Sequence, residues 1–131
     1  MSTDLALQSN KSNITFCSSN HSQFPADAMI DGDDKTFWIS TGLFPQIVRL
    51  TFPNTVQCRQ IQFLSTNIKS FSILSISKDN EQTVIFQDSL KQTPSQLQRF
   101  SQDLNVTMNE LEIQVDSGHD AFISIHHLRV F

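Results

Sequence analysis

Apolar residues recur at alternate positions along this chain with polar residues between them, which is the period-two pattern of half-buried β-strands. Ile14 and Phe16 share one face of an early strand, Val48, Leu50 and Phe52 of a second, and Ile61 and Phe63 of a third. Phe71 and Ile73 continue the pattern, followed by Val84 and Phe86, Leu97 with Phe100, and Leu111 with Ile113 and Val115. Ile123, Ile125, Leu128 and Val130 close it, with a phase slip after Ile125 that predicts a bulge or bend. About eight antiparallel strands, separated by turn residues such as Pro53-Asn54, predict an all-β sandwich or barrel. Helix is confined to a short turn from Pro25 to Met29, where Pro suits a helix start and Gly32 follows. Residues 1–12 are polar and are expected to be frayed, or a loosely attached first strand.

Composition narrows this picture. The 131 residues have room for one domain, 1–131, and the 38% apolar and 17% charged fractions suit a folded chain. Eleven Phe and one Trp supply core material, while the absence of Tyr removes the usual amphipathic binding platform. A net charge of -4 with scattered basic residues argues against a nucleic-acid or anionic-membrane footprint. The start lacks a basic and apolar leader, and no apolar run could span a bilayer, so a cytosolic location is the expectation. The sequons at Asn10, Asn13, Asn20 and Asn105 then read as chance. Cys17 and Cys58 lack metal or redox spacing and lie in strand-like stretches, so both are expected to be reduced and partly buried.

The run from Ala28 to Pro45 is unlike the rest of the chain: an acidic turn, Asp31-Gly32-Asp33-Asp34, leads directly into Phe37-Trp38. Gly32 lets the backbone turn sharply, so that carboxylate and carbonyl oxygens can aim at one point. Hard cations such as calcium require such an oxygen cage. An acidic surface turn in which Asp31 bonds its own backbone explains the same residues. The offsets do not match an EF-hand.

Ala28-x-x-Asp31-Gly32-Asp33-x-x-Thr36-Phe37-Trp38 resembles the entry loop of discoidin-type (factor V/VIII C-type) domains, which are jelly-roll β-sandwiches with a galactose-binding-like fold. The resemblance implies a calcium site formed by the Ala28 carbonyl, the Asp31 carboxylate, the Asp33 carbonyl, and the Thr36 hydroxyl and carbonyl, with Trp38 as core beneath it. It also implies closure from the last strand by the His126 carbonyl. The family often adds a Glu there, and here His127 stands in its place. A neutral imidazole is a poor ligand for a hard cation, so a weak or structural calcium site is implied.

The longer run through Thr41-Gly42-Leu43-Phe44-Pro45-Gln46 resembles the discoidin-like subunits of the ciliary intraflagellar transport machinery. That likeness implies a non-catalytic subunit of complex B, located in the cytoplasm and cilium or flagellum. Its implied partners are a Rab-like small GTPase, intraflagellar transport protein 27, and other complex B subunits. Thr41, Leu43, Phe44 and Pro45 then become the candidate partner surface, because an isolated domain has little reason to expose such an apolar tip. A loop tucked over the end of the sandwich is the competing reading.

Two other functions fit less well. A carbohydrate- or lipid-headgroup-binding module, the commoner role of discoidin-like domains, needs exposed aromatic platforms, which a chain without Tyr scarcely offers. A hydrolase built on His119-Asp120 or His127 lacks any nucleophile elbow or metal-binding motif. Adjacent histidines such as His126 and His127 point to opposite faces of a strand and do not chelate together.

Overall fold

The computed structural model describes residues 3–19, 21–33, 35–93 and 96–131; Asn20 with its sequon, Asp34 and residues 1–2 lie outside them. The described residues form seven antiparallel strands: β1 (Asn13–Cys17), β2 (Phe37–Ile39), β3 (Gln46–Thr66), β4 (Ile68–Ile76), β5 (Gln82–Ser89), β6 (Gln98–Gly118) and β7 (Ser124–Val130). Two pairs of expected strands merge: the runs around Leu50 and Phe63 are both part of β3, and those around Phe100 and Ile113 are both part of β6. Pro53 does not end β3, because it falls where the β3–β6 register breaks between Thr51 and Val56 and no ladder donor is required.

These two long strands fold one hydrogen-bonded ladder over on itself. The first half of β3 pairs with β1 and with the second half of β6, and β6 continues to β4 and β5. The second half of β3 pairs with the first half of β6 and with β7, which carries β2 at its edge. The inward residues of the two layers meet in one core. Phe71 of the first layer approaches Phe63 and Phe100 of the second edge-on, with ring centroids 5.8 and 5.1 Å apart.

Bulges account for the positions where strict alternation misleads. The β1–β3 register slips between Ile14 and Phe16, which leaves Phe16 48% exposed. A second slip on β5, beside Ile85, leaves Val84 51% exposed. In β7 an extra residue, His127, adopts φ 45° between Arg129, paired with Gln62, and His126, paired with Leu64. This is the bulge expected after Ile125.

The start of the chain is better anchored than expected. From Asp4 onward it is tied to β7, where the Leu5 N–H donates to the Val130 carbonyl at 2.7 Å and the Val130 N–H donates to Asp4 Oδ1 at 3.1 Å. Ala6 and Ser12 are fully buried, so burial and backbone pairing outweigh the polar composition of this segment. The helical turn forms as a 3-10 helix, Ala26–Met29, preceded by Pro25. Among the described residues no helix is long and apolar enough to cross a membrane.

Candidate functional site

The loop entering β2 is built on Gly32, whose φ of 81° belongs to the left-handed region where a side chain would be strained. The sharp turn lets Asp31 Oδ1 accept from the Asp33 N–H at 2.9 Å, so the simple acidic-turn hydrogen bond is present. The same turn gathers oxygens around the Thr36 hydroxyl. Thr36 Oγ1 lies 2.8 and 2.7 Å from the two Asp31 carboxylate oxygens, 3.2 Å from the Ala28 carbonyl and 3.1 Å from the Asp33 carbonyl. A hydroxyl carries one proton and can satisfy one of these four acceptors. The remaining acceptors around this hydroxyl therefore receive no proton from Thr36.

His126 joins this region from β7. Its backbone is in register with Phe37, the residue after Thr36, and its ring stacks on Phe37 with centroids 4.6 Å apart. The stack continues to Phe24, 4.7 Å from Phe37, against which His21 lies tilted at 5.3 Å. Burial lowers the His126 pKa below its ordinary value of 6.5, so the imidazole is held neutral. The His127 ring accepts from Arg129 Nε at 3.0 Å. Among the described residues no three His, Cys, Asp or Glu side chains form a metal cluster, so a cation site here would need carbonyl and hydroxyl oxygens beside the Asp31 carboxylate.

Trp38 lies fully buried beneath the loop, and its Nε1–H donates to the Ser19 carbonyl at 2.9 Å. Ser19 is also the anchor of the next loop. Its Oγ accepts from the Thr41 N–H at 2.9 Å and lies 2.8 Å from the Thr41 carbonyl and 2.6 Å from Gln46 Oε1. Gln46 Nε2 in turn donates to the Leu43 carbonyl at 2.7 Å. Ser40 ties the loop to Ile123, the residue before β7, through two backbone-directed bonds, each 2.9 Å.

Held in this way, Leu43 projects to 89% exposure, with Thr41 and Pro45 exposed beside it. Phe44 does not share the tip. Its ring turns back onto Gly118, where an added Cβ would lie 2.7 Å from the Phe44 Cζ. One part of the loop is thus tucked over the sandwich and another is presented. Sequence reasoning missed Ser19, Gln46 and Gly118 as supports, since a lone Ser and Gln have no signature outside their tertiary context.

The candidate catalytic residues are bound into the framework. His119 Nε2 lies 2.8 Å from the Leu90 carbonyl, and Asp120 Oδ1 accepts from the Ala121 N–H at 2.6 Å. A Ser–His contact that the sequence did not suggest joins Ser124 Oγ to His126 Nε2 at 2.9 Å, with Thr66 Oγ1 2.6 Å from the same hydroxyl. Ser124 is buried, and no carboxylate contact orients the ring among the described residues. Both cysteines are free thiols; burial pushes Cys58 up to about 11 and also raises Cys17.

A jelly-roll sandwich entered by a discoidin-type loop defines the galactose-binding-like class of module. In agreement, the chain superposes on a family 32 carbohydrate-binding module from Clostridium perfringens NanJ, solved with galactose, at a TM-score of 0.83. That likeness covers 97% of both chains at 20% identity and speaks to the fold alone. No family model matches the sequence. Curated relatives are more specific: the human intraflagellar transport protein 25 homolog is 32% identical over 130 residues, spanning 94% of this chain and 88% of the relative. Intraflagellar transport protein 25 of Chlamydomonas reinhardtii is 26% identical over 129 residues, spanning 97% of this chain and 68% of the relative. The chain belongs to the intraflagellar transport protein 25 family.

Proposed function

We propose that this chain is a non-catalytic subunit of the intraflagellar transport machinery, complex B, working in the cytoplasm and the cilium or flagellum. In this reading it forms a heterodimer with the Rab-like small GTPase intraflagellar transport protein 27. Family membership supports the transport role. The observation that carries the partner reading is Leu43, an 89% exposed aliphatic side chain on a loop fixed from behind by Ser19 and Gln46. Holding the loop before binding lowers the entropy cost of association. The test is co-elution of the purified chain with the purified GTPase at micromolar concentration. Separate elution of the two proteins overturns the assignment.

The Ala28–Thr36 loop is proposed as a structural calcium site, with the Ala28 and Asp33 carbonyls, the Asp31 carboxylate and Thr36 as ligands and the His126 carbonyl closing it from β7. Bound calcium would neutralise Asp31 and fix the loop in one conformation. The chain's own part is the Gly32 turn, which aims the oxygens, and the buried Trp38, which supports them.

A second reading is a carbohydrate- or lipid-headgroup-binding module. The observation favouring it is a concavity of about 430 Å³ beside the loop, where Phe24 and Phe37 adjoin Gln8, Gln23 and Asp27. A glycan array with clear hits that are lost in Phe37→Ala would favour this module over the transport subunit.

A further inference from the structure

The segments that lead into β3, β6 and β7 meet at one end of the sandwich. Among the described residues five large apolar side chains are exposed: Phe16, Leu43, Val84, Leu97 and Phe122. Phe16 and Val84 stand apart on β1 and β5 of the first layer. The other three all lie at this end, Leu43 before β3, Leu97 before β6 and Phe122 before β7.

Hydrogen bonds and packing join these segments. The Ser40 N–H donates to the carbonyl of Ile123, the neighbour of Phe122, and Phe44 packs on Gly118. The His119 N–H donates to the Asn67 carbonyl at 2.7 Å. Leu97 is positioned by its neighbour Gln98, whose buried amide accepts from the Ile68 N–H at 3.0 Å and donates to the Ile68 and Lys91 carbonyls at 2.8 and 2.9 Å. Leu97 and Phe122 then border a concavity of about 390 Å³ with Thr66, Asn67 and Gln96. The described residues lining it include no charged side chain.

Size limits what can cover Leu43. A stable heterodimer buries roughly 800 Å² on each partner, far more than one leucine tip presents. A partner that grips Leu43 must spread over adjoining surface, and across the Ser40–Ile123 bond that surface is Phe122 and then Leu97. Interface centres are poor in charge and rich in aromatic side chains, as this lining is. We propose that the GTPase gripping Leu43 also covers Phe122 and seats an apolar side chain in the cleft between Phe122 and Leu97. This footprint rests on the GTPase reading and extends it from one loop to three. Because Gln98 and Asn67 hold the cleft before binding, little ordering entropy opposes its use. An anionic membrane or a nucleic acid would find no cation in it.

The experiment is calorimetric titration of the purified full chain with the purified GTPase. Leu97→Asp and Phe122→Asp should each weaken binding at least about tenfold. Val84→Asp, at a site 51% exposed but on β5, should bind like the parent. In the isotopically labelled parent the GTPase should shift the amides of 66–67, 97 and 122 together with those of 41–43, a readout independent of how the variants fold. If both variants bind like the parent, or if only 41–43 shift, the footprint is confined to the Leu43 loop; the extension is overturned and the GTPase reading stands. A parent chain that does not bind the GTPase overturns both. Galactose shifting the cleft amides while Leu97→Asp binds the GTPase normally would replace the partner with a sugar. Dimers of the parent in sedimentation equilibrium that Leu97→Asp abolishes would give the cleft to a second copy instead.

Discussion

The loops before and after β2 flank the same three-residue strand, Phe37–Ile39, yet they are held in opposite ways. Ala28–Thr36 is closed by its own groups: its oxygens converge on the Thr36 hydroxyl, and Asp31 accepts from its own Asp33. Thr41–Pro45 is held by other segments, through Ser19, Gln46 and the packing of Phe44 on Gly118. A loop closed on its own oxygens responds to what neutralises them. A loop held from outside keeps its tip in place whatever is bound, so Leu43 is presented without needing a ligand. The two loops suit the two proposed roles, cation site and partner surface.

Trp38 supports both loops, so Trp38→Ala tests whether they are separable at all. Loss of this buried ring should cost about 3–5 kcal/mol and collapse cation response and partner binding together in a denaturant titration. Either property surviving would mean that the loops are independent of their common support. Ser19→Ala is expected to be milder, about 1–3 kcal/mol, because it leaves the Thr41 N–H without its acceptor. It should weaken partner binding while preserving any calcium-dependent rise in melting temperature.

Asp31→Ala is the reciprocal change. It should abolish the rise in melting temperature that calcium gives the parent and leave Leu43-dependent partner binding intact. Identical parent melting in calcium and in chelator would remove the cation from the comparison and leave a loop closed by hydrogen bonds. Leu43→Asp should leave melting unchanged, because the side chain is almost fully exposed, and should prevent co-elution with the GTPase.

The smallest effect concerns pH. The folded chain resists protonation of His126, whereas the unfolded chain takes up the proton near 6.5. Stability from the neutral imidazole is therefore present above pH 6.5 and lost as pH falls through that value toward the lower folded pKa. His126→Phe keeps a ring on Phe37 and should flatten this part of the stability profile. An unchanged slope would assign it to other groups.

The acidic loop was legible because each of its parts has a local cause: Gly32 for the turn, Asp31 and Thr36 for oxygen atoms, and Trp38 for the floor. Alternation likewise located most strand positions, since period two is a local property of a half-buried strand. Three features were not legible. Phe16 and Val84 turn outward at register slips that depend on the partner strand. β2 is too short for its alternation to be read. The anchor of the second loop, Ser19, is a buried polar residue whose partners Thr41 and Gln46 lie 22 and 27 positions away. No pattern within a sequence window encodes such a pairing.

The two 21-residue strands, β3 and β6, have a kinetic consequence. Because each contributes backbone to both layers, neither layer can open as a unit without tearing the ladder of the other. Subglobal unfolding is thereby suppressed, and hydrogen exchange at Leu50 and at Phe63, at opposite ends of β3, should report the same opening free energy. Residues so distant in sequence must meet before either strand is stable, which gives a high contact order and folding on the millisecond-to-second scale of β-sandwiches.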